Sequence, residues 1–171
     1  AGRGRQANKW ESPPFVNLYT TFGLFLPMRQ DIPNLPQILA LSAIEVLKEE
    51  GLEPRIKWPN DLYIEGKKIG GILSETLDFG SERFIAIGLG LNVNMQKEDL
   101  EKISNPATSL INELKKEFVV EALLKKIAIQ FNTYLEIFIE KGFTHFLDQF
   151  KNSMILNQKI QFKDSRRKLY V

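Results

Sequence analysis

The segment Lys57-Trp58-Pro59-Asn60-Asp61 combines residue types that can act on a charged ligand. A lysine at the end of a short apolar strand, followed by a Pro-Asn-Asp turn, places one cation and two polar side chains at the edge of a sheet. Proline, asparagine and aspartate also favour β-turns for backbone reasons alone. These residues by themselves therefore leave a ligand site and a simple turn as equally good interpretations.

The first nine residues, AGRGRQANK, contain two glycines and three cations but no acidic residue. Glycine lets the backbone approach a ligand closely, and the guanidinium groups of Arg3 and Arg5 can form paired hydrogen bonds with phosphate or carboxylate. The same pattern is common in RNA-binding arms and in solvated chain ends. It predicts a basic loop without identifying what the loop binds.

Two later segments place glycines inside apolar strands. In KIGGIL (68–73), Gly70 and Gly71 weaken an otherwise good strand, which predicts a β-bulge or a close approach by a ligand or a packed helix. The glycines of GLGLNVN (88–94) resemble a dinucleotide-binding motif, but no helix opens after them, so we reject the Rossmann interpretation. Asn92 and Asn94 at this strand end are candidates for hydrogen bonds with a polar ligand, with a simple Asx turn as the alternative.

Composition restricts the available chemistry further. The chain has 171 residues, and its 43% hydrophobic and 26% charged residues are typical of a soluble globular protein. The net charge of +2 is too small to indicate nucleic acid on its own. Because cysteine is absent and His145 is the single histidine, thiol nucleophiles and sites built from several imidazoles are excluded. His145 lies between Phe143 and Phe146 and is predicted to be a packing or surface residue.

The hydrophobic periodicity predicts an α+β protein with a mixed, mainly antiparallel sheet and helices on one face. Glu65-Gly66 has the size of a two-residue hairpin turn, and Asn105-Pro106 is typical of a helix start. Residues 92–105 are predicted to form a polar loop. The predicted strands are 17–26, 55–58, 62–64, 67–75 and 83–91, with two short ones at 158–162 and 168–171; the predicted helices are 33–50, 106–116, 120–141 and 144–151.

Taken together and in this order, these segments resemble the pattern of biotin protein ligases. The matching segments are the loop from Arg3 to Trp10, KWPND (57–61), KKIGGIL (67–73), GLGLNVN (88–94) and PATSL (106–110). The resemblance implies a catalytic domain related in fold to the class II aminoacyl-tRNA synthetases. It also implies that the enzyme activates the biotin carboxylate with ATP and Mg²⁺ to form biotinyl-5′-AMP, and then transfers biotin to one lysine of a carrier protein.

The resemblance assigns roles to particular residues. Lys57 would bridge the biotin carboxylate and the phosphate of ATP, while Arg3 and Arg5 would lie in a loop that folds over both; these three are the candidate catalytic residues. Asp61 is the candidate ligand for Mg²⁺, unless it only stabilises its turn. The candidate biotin-binding residues are Arg3, Gly4, Arg5, Lys57, Gly70, Gly71 and Ile72; the candidate adenylate-binding residues are Trp10, Asn60, Asn92 and Asn94.

The resemblance also implies an organisation and a set of partners. Residues 1–152 would form the catalytic domain, without a segment that precedes Ala1 in relatives, and residues 153–171 would begin a truncated SH3-like domain. The expected partners are biotin, ATP and a biotin carboxyl carrier protein, in the cytoplasm, with no prosthetic group and no membrane contact. The resemblance allows a homodimer, and we expect no DNA binding because the helix-turn-helix of repressor-type members is absent.

Two alternatives remain open at this stage. The first is a lipoate-type protein ligase of the same superfamily, which would use the same logic of a carrier lysine. The second is a nucleic-acid-binding module that uses the basic ends of the chain, namely Arg3, Arg5, Lys9 and residues 163–168. The small net charge and the apolar glycine strands argue against the second alternative.

Overall fold

The structure, a computed structural model, describes residues 12–155 and, beyond them, only the backbones of four short strands. Near the start of the chain, β1 (Gly2–Arg3) pairs with β2 (Lys9–Trp10). Near its end, β8 (Gln161–Lys163) pairs with β9 (Lys168–Tyr170). The two strands expected in the tail are therefore present, while their assignment to an SH3-like domain stays a prediction.

Five strands form the central sheet. They are β3 (Leu18–Pro27), β4 (Arg55–Lys57), β5 (Asp61–Ile64), β6 (Lys67–Phe79) and β7 (Glu82–Leu91). Their spatial order is β3-β7-β6-β5-β4, and every neighbouring pair is antiparallel. Each of the five strands predicted from the sequence is found, and β6 is longer than predicted because it continues to Phe79.

The β5–β6 connection is the predicted two-residue hairpin turn. Glu65 and Gly66 have φ angles of 46° and 79°. Positive φ at both central positions is the requirement of a type I′ turn, whose twist matches that of the flanking strands. The turn sets the pairing of Ile64 with Lys67 and hence the start of the β5–β6 ladder.

Five helices accompany the sheet in the described part of the chain. They are α1 (Leu35–Glu49), α2 (Lys97–Leu100), α3 (Leu110–Leu114), α4 (Val120–Lys141) and α5 (Leu147–Ser153). None of the described helices is long and apolar enough to cross a membrane. The helix predicted at 120–141 is confirmed at both ends, and Gly142 follows it as expected.

The largest differences from the predicted elements lie between β7 and α4. The segment 92–105 was expected to be a loop, but it contains the one-turn helix α2. The helix expected from Pro106 begins only at Leu110, because the preceding residues extend alongside β6 instead. The backbone nitrogen of Lys68 donates to the carbonyl of Pro106, and that of Thr108 donates to the carbonyl of Lys68, both at 2.9 Å.

The helices cover one face of the sheet. Alternate residues of β7 are buried on that face, and Phe22 of β3 contacts Phe131 of α4 with ring centroids 5.0 Å apart. Each buried leucine or isoleucine of this core stabilises the fold by roughly 1.5–3 kcal/mol relative to exposure.

His145 is exposed, with its ring edge-on to Phe146, in agreement with the packing or surface role predicted for it. Leu35, Leu39, Ala43, Val46 and Leu47 of α1 are all buried.

A polar cluster ties the end of α4 to the segment that follows β3. The guanidinium of Arg29 donates from Nη2 to Asp31 Oδ2 at 2.9 Å and to the carbonyl of Phe138 at 3.2 Å. The same Asp31 oxygen accepts a hydrogen bond from the Phe143 amide at 3.2 Å. Burial by itself would raise the pKa of the Asp31 carboxyl, but the hydrogen bond and charge of Arg29 outweigh it and hold that pKa below its usual value.

Because of this cluster, we expect the stability of the fold to depend on pH. Because the pKa of Asp31 is lower in the folded than in the unfolded chain, its carboxylate stabilises the fold above about pH 4 and loses this effect as the pH falls further. We expect Asp31→Asn to lower the free energy of unfolding by about 1–3 kcal/mol at neutral pH. The difference from wild type should shrink between about pH 5 and pH 3 in urea unfolding. A difference that stays constant over this range would rule out the contribution of the charge.

Candidate functional site

The sheet face opposite the helices carries unusually small residues at its centre. Residues directly opposite one another on neighbouring strands share a face, and three rungs of the ladders cross this face as Tyr19–Gly90–Gly71, Thr21–Gly88–Leu73 and Gly23–Ala86–Glu75. We call the residues at its centre the small-residue floor. The floor consists of Gly23, Gly71, Ala86, Gly88 and Gly90. Glycine at these positions allows a close approach to the strand backbone, and at Gly23 the Phe84 ring makes that approach, 3.3 Å from where a Cβ atom would lie.

Charged residues border the floor where β4, β5 and β6 meet. Lys57 ends β4 and is paired in register with Asp61 of β5, which is itself paired with Gly71 of the floor. The Lys57 ammonium nitrogen lies 4.9 Å from the centroid of the Tyr63 ring, a cation–π contact. The Lys68 ammonium lies 2.6 Å from Asp61 Oδ1. We call Lys57, Asp61, Tyr63 and Lys68 the charged border.

Lys57 has a different environment from the neighbouring lysine. Lys68 forms an ion pair with Asp61, whereas no carboxylate among residues 12–155 lies within ion-pairing distance of Lys57. The Lys57 side chain is also exposed. The structure therefore presents one accessible cation next to the small-residue floor, which is an arrangement that can attract an anionic ligand.

Asn60 connects the KWPND turn to the KIGGIL strand. Its side-chain Nδ2 donates to the carbonyl of Ile72 at 2.6 Å, and the Ile72 amide donates to the carbonyl of Asn60 at 2.8 Å. This pair of hydrogen bonds holds the turn after β4 against β6. The two sequence motifs are thus brought together by the asparagine itself, and its predicted contact with a nucleotide stays a prediction.

Gly70, the first of the paired glycines of β6, allows close packing against the neighbouring strand β7. A Cβ atom on Gly70 would lie 2.9 Å from the carbonyl oxygen of Gly90 and 3.2 Å from a methyl group of Leu91. The group that approaches Gly70 is therefore the neighbouring strand β7, whereas a ligand or a packed helix was expected there. The predicted bulge is also present, since the pairing shifts between Leu62–Gly70 and Tyr63–Lys68.

The bulge determines which residues of this motif reach the open face. Gly71 belongs to the small-residue floor, whereas Ile72 is directed into the core with 2% of its surface exposed. Gly70 is buried beside core side chains as well. Of the three residues of this motif predicted to bind biotin, only Gly71 occupies the open face, so any contact from the other two would have to be made by backbone atoms.

The asparagines at the end of β7 make hydrogen bonds within the protein. The Asn94 side chain accepts from the Phe118 amide at 3.0 Å and donates to the Phe118 carbonyl at 2.7 Å. Asn92 is buried and donates from Nδ2 to the carbonyl of Thr108 at 3.0 Å. Both amides therefore fix the segments that follow β7, and their predicted contacts with a nucleotide stay predictions.

Sequence reasoning gave no role to Asn17, although this residue is buried at the same junction. Its Oδ1 accepts a hydrogen bond from the Val93 amide at 2.8 Å, and its Nδ2 lies 3.1 Å from the Tyr19 hydroxyl. A buried amide must find such partners or lose about 1–3 kcal/mol. Its position at the start of a strand was visible in the sequence, but the partner, about 75 residues away, was not.

Several predicted site residues cannot be compared with the geometry above. Gly4 and Arg5 lie outside the described residues, and only the backbones of Arg3 and Trp10 are described. Within residues 12–155, no cluster of three carboxylate or imidazole groups could hold a metal ion. Because Asp61 is engaged by Lys68, this region does not fit a resident Mg²⁺ site, and we derive no step through a metal held by the protein.

Comparison with known proteins identifies the fold and its motifs. The Biotin/lipoate A/B protein ligase family matches residues 1–92, more than half of the chain. The chain belongs to this family. Among curated relatives, biotin–protein ligase 2 of Arabidopsis thaliana is 36% identical over 152 residues, covering 83% of this chain and 44% of that protein. The bifunctional ligase/repressor BirA of Bacillus subtilis is 34% identical over 152 residues, covering 84% of this chain and 46% of that protein.

A solved structure of a family member is similar over almost the whole chain. The biotin protein ligase from Aquifex aeolicus, in complex with biotin and ATP, superposes with a TM-score of 0.81 at 31% identity. The match covers 99% of this chain and 71% of that chain. The present chain spans a little under half the length of the two curated relatives above.

The two kinds of glycine in this sheet predict opposite responses to alanine. We expect Gly70→Ala to lower the free energy of unfolding by about 1–3 kcal/mol, because the new methyl group would overlap the Gly90 carbonyl of β7. Gly88→Ala is the matched control, since its methyl group would lie no closer than 3.5 Å to any atom. Its effect should stay within about 0.5 kcal/mol. Urea unfolding measures both values, and equal losses would contradict the packing described here.

Proposed function

We propose that this chain activates biotin with ATP to form biotinyl-5′-AMP and pyrophosphate, and then transfers biotin to a lysine of a carrier protein. The observation that carries this proposal is the exposed Lys57 ammonium beside the small-residue floor, with no carboxylate among the described residues to neutralise it. Family membership supports the same reaction, because the relatives described above are biotin–protein ligases or a ligase/repressor.

The first step requires a cation for an electrostatic reason. A carboxylate oxygen of biotin attacks the α-phosphorus of ATP, and pyrophosphate leaves with the electrons of the bond that breaks. Both reactants are anions, so they repel each other until a positive group lies between them, and charge accumulates further in the transition state. Lys57 is placed to supply that charge at the edge of the floor. Arg3 and Arg5 are proposed to add to it from the basic loop.

The small-residue floor suits the apolar part of the substrate. Glycine backbones let the ring of the substrate approach the sheet closely. In the second step the amine of the carrier lysine attacks the acyl carbon, loses a proton and releases AMP. An acyl-adenylate hydrolyses in water, so a loop that closes over it protects the intermediate until the lysine arrives. The basic loop of residues 1–9 is proposed for this purpose.

Mg²⁺ enters this proposal with the nucleotide. The ion prefers oxygen ligands and usually binds through substrate phosphates, keeping several of its waters. When bound, it would neutralise phosphate charge. The cytoplasmic location, the biotin carboxyl carrier protein as acceptor and a homodimer also remain proposals from the resemblance. We also propose that residues 1–152 form the catalytic domain and that residues 153–171 belong to an SH3-like domain.

A lipoate ligase is the second candidate, because the family that matches residues 1–92 includes both kinds of enzyme. Biotin and lipoate each carry a carboxylate on an aliphatic chain, so the charged border suits both. Pyrophosphate exchange into ATP, measured with each acid in turn, distinguishes them. Biotin should support exchange at much lower concentration than lipoate; exchange that needs neither acid, or that prefers lipoate, would contradict the proposal.

The role of Lys57 is tested by its removal. We expect Lys57→Ala to lower biotin-dependent exchange by a factor that corresponds to about 2–4 kcal/mol of transition-state stabilisation, because the charge acts on the reacting anions. Lys67→Ala is the matched control, since Lys67 lies at the start of β6 and pairs with Glu113 at 3.3 Å. Adenylation at the wild-type rate in the Lys57 variant would refute its assignment.

A further inference from the structure

The ladder between β3 and β7 becomes irregular just beyond its last pair, Leu18–Leu91. On the far side of this pair, the Asn94 amide donates to the carbonyl of Val16 at 2.7 Å. Two residue steps on the β3 side therefore face three steps on the β7 side. An extra residue of this kind interrupts the ladder, so its backbone groups need a partner from elsewhere.

The side chain of Asn17 supplies that partner. Its Oδ1 accepts a hydrogen bond from the Val93 amide at 2.8 Å, so a side-chain oxygen takes the place of a backbone carbonyl. Val93 is fully buried, and Asn17 is buried as well. A buried amide hydrogen that loses its partner is unfavourable, so without Asn17 the segment after β7 would have to move to find another acceptor.

The other end of the Asn17 amide reaches further into the same segment. Its Nδ2 lies 3.4 Å from the sulfur of Met95 and 3.5 Å from Asn92 Oδ1, besides 3.1 Å from the Tyr19 hydroxyl. Together with the bond to Val93, one side chain thus contacts three of the four residues from 92 to 95. Asn17 therefore fixes this segment as a unit.

The segment matters because Asn92 lies beside the small-residue floor. The Asn92 backbone amide donates to the carbonyl of Ile69 at 2.8 Å, which continues the pairing of β7 with β6. Residues two apart on a strand share a face, so Asn92 lies on the same side of the sheet as Gly90. Its Nδ2 donates to the carbonyl of Thr108 at 3.0 Å, and its Oδ1 faces Asn17.

We propose that Asn17 is a positioning residue for the nucleotide end of the site. It holds the segment 92–95 in one arrangement, so Asn92 is already ordered when the nucleotide arrives. This inference rests on the proposed function, and on the adenylate contact predicted for Asn92, for its effect on activity. Its structural part, the hydrogen bond to Val93, exists in the free protein and is measured there independently.

The catalytic test measures KM for ATP and KM for biotin separately in the pyrophosphate exchange reaction. We expect Asn17→Leu to raise KM for ATP about tenfold, the effect of losing a hydrogen bond that orders a binding residue. KM for biotin should stay within about twofold of wild type, because effects at separate places in a site are independent. A residue that only supported the fold would not separate the two constants in this way.

A second pair of variants shows whether Asn17 acts through Asn92. Asn92→Ala should raise KM for ATP by itself, and adding Asn17→Leu should then raise it by less than about twofold more, since the positioned side chain is already gone. Ile44→Val is the matched control, because Ile44 of α1 is buried in the core on the helix-covered face. It lowers stability but should leave both KM values within about twofold of wild type.

A third measurement needs no activity. Amide hydrogen exchange is followed by NMR in the free protein, with the amide of Ile87 in β7 as the internal reference. In Asn17→Leu the Val93 amide should exchange at least about tenfold faster, because local opening then breaks no hydrogen bond to residue 17. Asn17→Asp keeps an oxygen acceptor and should stay within about threefold of wild type. Unfolding midpoints verify that each variant is folded.

The outcomes separate this inference from the proposed function. An unchanged KM for ATP, equal rises in both KM values, or additive effects of Asn17→Leu and Asn92→Ala each overturn the positioning role. Unchanged exchange of the Val93 amide in Asn17→Leu overturns it as well. If the wild type shows no biotin-dependent exchange while the Val93 amide responds as expected, the proposed function fails and the structural part of the inference is upheld.

Discussion

In the described part of the chain the helices cover one face of the sheet, and this one-sided packing is the constraint on which the rest of the structure depends. The helices bury alternate residues of β3, β6 and β7, so the register of these strands is set by the apolar side chains that must face the core. The intervening residues then face away from this core and do not have to fill it. That freedom lets Gly71, Gly88 and Gly90 stand side by side, although glycine usually weakens a strand. The stability of the candidate site thus comes from residues that no ligand touches.

Two local features adapt this regular sheet to the site. The bulge at Ile69 changes the face of Lys68, and the Asn60 amide ties the turn after β4 to the backbone of Ile72. Both act on the same corner of the sheet, where short strands alone would give weak pairing. Further along, Asn17, Asn92 and Asn94 hold the segments after β7 with buried hydrogen bonds. Such bonds stabilise one arrangement of a loop mainly because every alternative would leave an amide unpaired.

Hydrophobic periodicity predicted the strands and helices of this fold well, because each of them depends on residues that are close together in the sequence. All five strands of the central sheet, the helices α1 and α4 and the Glu65-Gly66 turn are found near their expected positions. The pattern failed at Pro106, where a helix start competes with hydrogen bonds to Lys68, a partner about 40 residues away. The predictions for the candidate site likewise succeeded where the signal was local and failed where it was not. The glycine pair correctly predicted a bulge, but strand β7 makes the close approach that was expected of a ligand or a packed helix. Neighbouring residues of a strand face opposite sides, and the sequence could not reveal which of the two glycines faces the core. The pairing of Asp61 with Lys68 depends on a bulge whose register no local signal specifies.

The distribution of charge over the site also bears on its selectivity. The floor offers backbone groups and small side chains, which favour a flat apolar ring but distinguish weakly between rings of similar size. The charged border offers a cation, which recognises a carboxylate whatever ring is attached to it. A site divided in this way can keep one adenylation chemistry while the floor changes with the substrate. Under the function proposed above, discrimination between biotin and lipoate must come from hydrogen bonds to the polar ureido group that only biotin carries, because an unpaired polar group in a buried site costs far more than a small mismatch in apolar shape.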